Sequence, residues 1–125
     1  MVTSEDLRAR LSEYVTAINR RDPEAVAALF AVDAVQADPV SNPPNVGRAA
    51  IARFFGDGIA ASDGWTFTAK AVHTCAPFIA VDFAIAVQTG EVTMTIDGIE
   101  VFTAGDDGLF TDVRAYWDDT DVSVG

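Results

Sequence analysis

The sequence has little of what several chemistries require. A single cysteine, Cys75, excludes an intrachain disulfide and any zinc cluster built on cysteines. It reads as a small core or strand-end residue rather than a nucleophile. A single histidine, His73, leaves no pair for a histidine-bound metal. Bases are scarce too: 8 lysines and arginines stand against 19 acids, a net charge of −11. Such a surface repels nucleic-acid phosphates and anionic membranes, which removes both as partners. No apolar run approaches the roughly 20 residues of a membrane span. The opening MVTSEDLRAR lacks the basic-then-apolar pattern of an export signal, so a cytoplasmic location is the expectation.

What is present suits one small enzyme-sized domain, residues 1–125, with half of its residues hydrophobic and so enough to build a core without staples. The acidity keeps the chain soluble and favours neutral or cationic ligands over anionic ones. At the N-terminus, Ser4 is the expected helix cap, with Glu5 and Asp6 in the first turn. Leu7, Leu11, Tyr14, Val15 and Ile18 then recur at helical spacing. Asp22 and Pro23 start a second helix, whose inner face is Val26, Leu29 and Phe30. Val32 to Val40 reads as extended and ends in Asp38-Pro39. After a loop with Pro43-Pro44, a third helix spans about Arg48 to Ile59.

From Trp65 the pattern changes to period two. Trp65, Phe67 and Ala69 alternate with polar neighbours, as do Ile79, Val81, Phe83, Ile85 and Val87 with small or acidic ones. Thr89-Gly90 and Gly105-Asp106-Asp107-Gly108 mark turns, and Leu109 to Trp117 is the last long strand. Three helices and a run of turn-connected strands predict an α+β architecture. Its helices pack on a curved, mostly antiparallel sheet, leaving an apolar interior.

Three polar residues break this pattern. Tyr14 lies in the inward stripe of the first helix, where a buried phenol either bonds a backbone carbonyl or serves a site. Glu100 falls in phase with Val92, Met94, Ile96 and Phe102 if the strand runs unbroken, which places a carboxyl on the apolar face. A buried carboxylate pairs with a base or takes up a proton. A bulge at Gly98 would instead turn Asp97 inward. Asp38 has the ordinary reading of an Asp-Pro turn. Its company of Val35, Ala37, Pro39 and Val40 also suits a base of modestly raised pKa.

In this order the residues resemble the ketosteroid isomerases, part of the cone-shaped α+β superfamily of nuclear transport factor two and scytalone dehydratase. Tyr14-Val15-Thr16-Ala17-Ile18-Asn19 resembles the helix carrying that family's oxyanion tyrosine. Ala37-Asp38-Pro39-Val40 resembles the stretch holding its catalytic aspartate, and Gly47 to Phe55 its third helix. Ile99-Glu100-Val101 stands where the family has Ile-Asp, and Arg114-Ala115-Tyr116-Trp117 resembles its last strand.

The resemblance implies a steroid Δ5-Δ4 isomerase needing no metal or organic cofactor. Asp38 would be the proton-shuttling base, and Tyr14 and a protonated Glu100 the oxyanion donors. Phe55, Phe83, Phe102 and Trp117 would contact a hydrophobic substrate, a steroid by implication. Two departures stand out: Glu100 is one methylene longer than the family's aspartate, and Phe55 replaces a supporting tyrosine.

Other readings of the same architecture are a polyketide cyclase or dehydratase built on His73, an epoxide hydrolase using Arg53, Arg114 and Asp82, and a ligand-binding or dimerisation module without activity. The sheet face with Ala80, Ala84 and Ala86 is the candidate homodimer interface.

Overall fold

The structure, a computed structural model, describes all 125 residues. Helix α1 spans Ser4–Asn19 and α2 Pro23–Ala27, followed by strands β1 (Phe30–Ala37) and β2 (Asn45–Val46). Helix α3 (Arg48–Ala60) precedes the long strands β3 (Gly64–Cys75), β4 (Phe78–Thr89) and β5 (Val92–Ala104). Then come β6 (Phe110–Tyr116) and a short terminal β7 (Val122–Val124). No helix is long and apolar enough to cross a membrane.

The first cap differs by one residue from the expectation. Thr3, not Ser4, caps α1, its hydroxyl accepting from the Asp6 amide while the Asp6 carboxylate accepts from the Thr3 amide. The acid three residues on decides it, because only Thr3 has Asp6 at the position that completes a reciprocal box. Asp22 caps α2 through the Ala25 amide, and Pro23 follows at the first helical position, as read.

The strands form one sheet in the order β2-β1-β6-β5-β4-β3, with β7 added against β5. All neighbours are antiparallel except β1 with β6. Register shifts between Ala69 and Ala71 and between Thr103 and Ala104 mark irregularities that bend such a ladder. The three helices lie on the concave face. The predicted α+β cone is therefore the observed fold.

Register turns strand phase into a wall. Across β3, β4 and β5 the inward positions line up as rungs: Trp65–Val87–Met94, Phe67–Ile85–Ile96, then Ala69–Phe83–Gly98 and Val81–Glu100. The β4–β5 ladder continues through Gly98 without a shift, so Glu100 is buried and Asp97 faces outward to Lys70, 2.9 Å away. Gly98 is required there, because a Cβ would lie 2.8 Å from the Tyr116 carbonyl and 3.1 Å from the Phe83 ring.

Side chains then fasten the helices to this wall. The Asn19 amide pairs with both backbone groups of Phe67, donating to its carbonyl at 3.1 Å and accepting from its N–H at 2.6 Å. It acts as a one-residue strand on the edge of β3. Arg48 donates twice to the Phe30 carbonyl at one end of α3, and Arg21 donates to the Ile59 and Ser62 carbonyls at the other. Replacing Asn19 with Leu removes both bonds from the sheet edge. Urea denaturation should show a loss of about 1–2 kcal/mol; a change below about 0.5 kcal/mol would mean the pairing does not hold α1 in place.

Candidate active site

Between the helices and the inward rungs lies an apolar cavity of about 270 Å3. Tyr14, Asp38 and Glu100 all line it. They come from three separate places: α1, the residue just after β1 and the middle of β5. Of the other expected contacts, Phe55, Phe83 and Trp117 also line the cavity.

Phe102 does not. It is fully buried beneath the site, its ring 5.1 Å from that of Tyr14 and 4.7 Å from that of Phe110. Strand phase placed it correctly on the inner face, but period two cannot separate a residue that walls a cavity from one packed below its floor. Among the lining residues missed in the sequence were Phe54, Trp65, Phe67, Met94 and Ile96. The rung alignment is the signal for most of them, and it needs the pairing register, which one sequence does not contain.

Tyr14 is held by edges. The rings of Phe30, Phe55, Phe67, Phe102 and Phe110 all meet its ring edge-to-face, with centroids 5.1–6.3 Å away. This aromatic cage fixes the ring and leaves the hydroxyl as its polar tip. Burial pushes the Tyr14 phenol well above its ordinary pKa, and the Glu100 and Asp38 charges push it further. The phenol therefore keeps its proton beyond the ordinary titration range of a tyrosine.

The two carboxyls sit in unequal surroundings. Glu100 is almost completely buried, and its Oε2 has no hydrogen-bond partner in the chain. Burial raises its pKa well above the usual carboxylate range, and the charge of Asp38 adds to the shift. No base neutralises it, which disposes of the salt-bridge reading: the nearest solution to an unpaired buried charge is to carry a proton.

Asp38 is also raised by burial, but its Oδ1 accepts a 2.8 Å hydrogen bond from the Trp117 indole N–H, which pulls the pKa back down. Both carboxyls are therefore raised by burial, Glu100 the further of the two.

The residues of the competing readings lie elsewhere. His73 is exposed on β3, and Cys75 is exposed at the end of the same strand. Arg53 is exposed on α3, Arg114 pairs with Asp112, and Asp82 faces Lys70 on the outer surface. No arginine lines the cavity.

An α+β cone enclosing an apolar cavity with a few polar groups at its floor defines a class of small cavity proteins of varied function. This chain belongs to the family of SnoaL-like domains, which matches residues 11–113. It is 33% identical over 121 residues to the steroid delta-isomerase of Nocardioides simplex, a match covering 97% of each chain. It is 32% identical over 124 residues to the epoxide hydrolase LasB of Streptomyces lasalocidi, covering 89% of this chain and 41% of that protein. Among solved structures, the Δ5-3-ketosteroid isomerase from Mycobacterium sp. superposes with a TM-score of 0.86 at 25% identity, covering 96% of this chain and 98% of the other. The resemblance read in the sequence thus holds along nearly the whole chain.

Burial of Glu100 has a consequence for stability. Folding raises its pKa, so between the unfolded and folded values the folded state holds the proton that the unfolded state has lost. Stability therefore falls as pH rises through that window and is fully present below it. Glu100→Gln removes the titration. Its Tm relative to wild type should climb by several degrees from pH 4 to pH 8, read by calorimetry. A difference independent of pH would mean that Glu100 titrates alike in both states.

Proposed function

We propose that this protein is a cofactor-independent isomerase that moves the double bond of a β,γ-unsaturated ketone, of the Δ5-3-ketosteroid class, into conjugation. The observation that carries this reading is the meeting of Tyr14, Asp38 and Glu100 on one apolar cavity, where burial raises both carboxyls and Glu100 the further.

The Asp38 carboxylate takes a proton from the carbon between carbonyl and alkene. Trp117 occupies Oδ1, which leaves Oδ2 to receive that proton. The electron pair delocalises into a dienolate whose oxygen accepts hydrogen bonds from the Tyr14 hydroxyl and the protonated Glu100 carboxyl. Asp38 then returns the proton two carbons further along, giving the conjugated enone with no net change in atoms or electrons. The apolar walls strengthen both donors by excluding water. The longer reach of Glu100 compared with an aspartate shifts where the oxyanion sits and points to a ketone placed differently from the family's usual steroid.

An epoxide hydrolase is supported less well, because its expected Asp-Arg-Asp water network has no arginine in the cavity. The outward sheet face, with Phe78, Ile99 and Tyr116 each half-exposed, supports a homodimer of this chain.

Turnover is read as rising enone absorbance from a Δ5-3-ketosteroid. Asp38→Asn should lower kcat/KM by about 10²–10⁴-fold. Glu100→Gln, which still donates, should stay within about tenfold of wild type, while Glu100→Ala should lose about 10²–10³-fold. Equal losses in the two would remove Glu100 from the oxyanion site. Trp117→Phe deletes the bond that lowers the Asp38 pKa, so the acidic limb of kcat/KM should move to higher pH. Wild type inert on several such steroids yet binding a phenolic one would leave a ligand-binding module.

A further inference from the structure

The sheet has two end strands. One is β2, only two residues long. The other is β3, a 12-residue strand whose outer edge no strand covers. Unpaired backbone groups along such an edge are a template for another chain. Side chains cover part of it instead. The Asn19 amide takes both backbone groups of Phe67, and the Arg8 guanidinium donates to the Val72 carbonyl at 3.3 Å. Lys70, at the register shift, turns away to Asp97 and Asp82 on the outer face.

Between these two caps one residue stays bare. Ala69 lies two residues beyond Phe67, so the alternation of the ladder points its N–H and C=O to the same open edge. The side chains that reach this edge stop at Phe67 and Val72. Ala69 also lines a groove of about 480 Å3 between β3 and α1. Its floor is apolar, with Leu11 and Val15 from the helix and Phe67 and Val72 from the strand. Arg8 is the only charged residue lining it. Although acids outnumber bases 19 to 8, Arg8 belongs to none of the chain's ion pairs. Its bond to Val72 leaves most of its five N–H donors free.

An open N–H and C=O pair, an apolar floor and an unmatched cation together fit an extended peptide that carries a carboxylate. The caps decide where in the peptide that carboxylate lies. Arg8 sits on the Val72 carbonyl, in the line an added strand would follow, so the strand must stop there. It presents its chain end to Arg8, because the side chains of a strand leave perpendicular to that line. From Ala69 to Val72 is about 10 Å along the strand, room for about three residues.

We propose that the groove between α1 and β3 is a docking site for the C-terminal tail of a partner protein. The tail is extended and apolar, runs parallel to β3 and ends with its free carboxylate on Arg8. The Ala69 N–H donates to one tail carbonyl, and the Ala69 carbonyl accepts from the amide two residues further along. Its apolar side chains rest on Leu11 and Val15. This site is independent of the isomerase reading.

The test starts from a library of random heptapeptides displayed with free C-termini and selected on wild type. The tightest binder is made as the acid, as its C-terminal amide, and as the acid N-methylated at its last four amides. Wild type should bind the acid tighter than the amide by on the order of fivefold, and tighter than the methylated form by a similar factor. Arg8→Gln should bind acid and amide equally. In 15N-labelled wild type the Ala69 amide signal should move downfield as the acid saturates the groove, a reading that needs no variant to fold. No enriched peptide, equal binding of acid and amide by wild type, undiminished binding of the methylated form, or an unmoved Ala69 signal would each overturn the proposal. Decanoate shifting the groove signals where no peptide does would overturn it too, and make the groove a site for fatty carboxylates.

Discussion

The removal of the Glu100 carboxyl from water is the constraint on which the rest of the site depends. A carboxyl there can stay only if it is paired or protonated, and no base reaches it. Its burial depends in turn on the ladder between β4 and β5 passing Gly98 without a bulge. Were the register to slip by one residue, Asp97 would turn inward and Glu100 would face solvent. The small residue at 98 protects that register, since the Tyr116 carbonyl and the Phe83 ring leave no space for a side chain. A backbone detail on one strand thus decides which carboxyl is buried at the cavity.

The other two polar groups are placed by different means. Tyr14 relies on shape: five aromatic rings hold its own, and the Asn19 clamp keeps its helix against the sheet. Asp38 relies on a hydrogen bond, its carboxyl tied to an indole from the far end of the chain. Burial lifts both carboxyls, but only Asp38 has a donor to counter it. The two carboxyls thus differ in surroundings: Glu100 also feels the Asp38 charge, and Asp38 has the indole N–H.

Much of this could be read from the sequence where a local rule governs. Period two located Glu100 on the inner face, the helical stripe did the same for Tyr14, and the order of motifs gave the cone. Where distant parts of the chain meet, it could not. The Trp117–Asp38 bond joins residues 79 apart in sequence, and nothing local to either announces it. Phe102 was expected to touch substrate and instead supports Tyr14 from below, because inward phase gives a direction and no depth. Period two gives Trp65 a face of the sheet and nothing about its N–H. Its unpaired N–H and the glycine opposite it become visible only when α3 is laid on β3. Even the first cap turned on whether Thr3 or Ser4 had an acid three residues on.

The central claim is that this cavity holds a neutral glutamic acid beside an aspartate that ionises first. Carboxyl 13C chemical shifts of Asp38 and Glu100, followed through a pH titration of the unliganded protein and assigned with Asp38→Asn and Glu100→Gln, test it directly. Asp38 should ionise at the lower pH, and Glu100 should keep its proton through neutrality. A Glu100 carboxyl already ionised at pH 7, or one that titrates before Asp38, would contradict it.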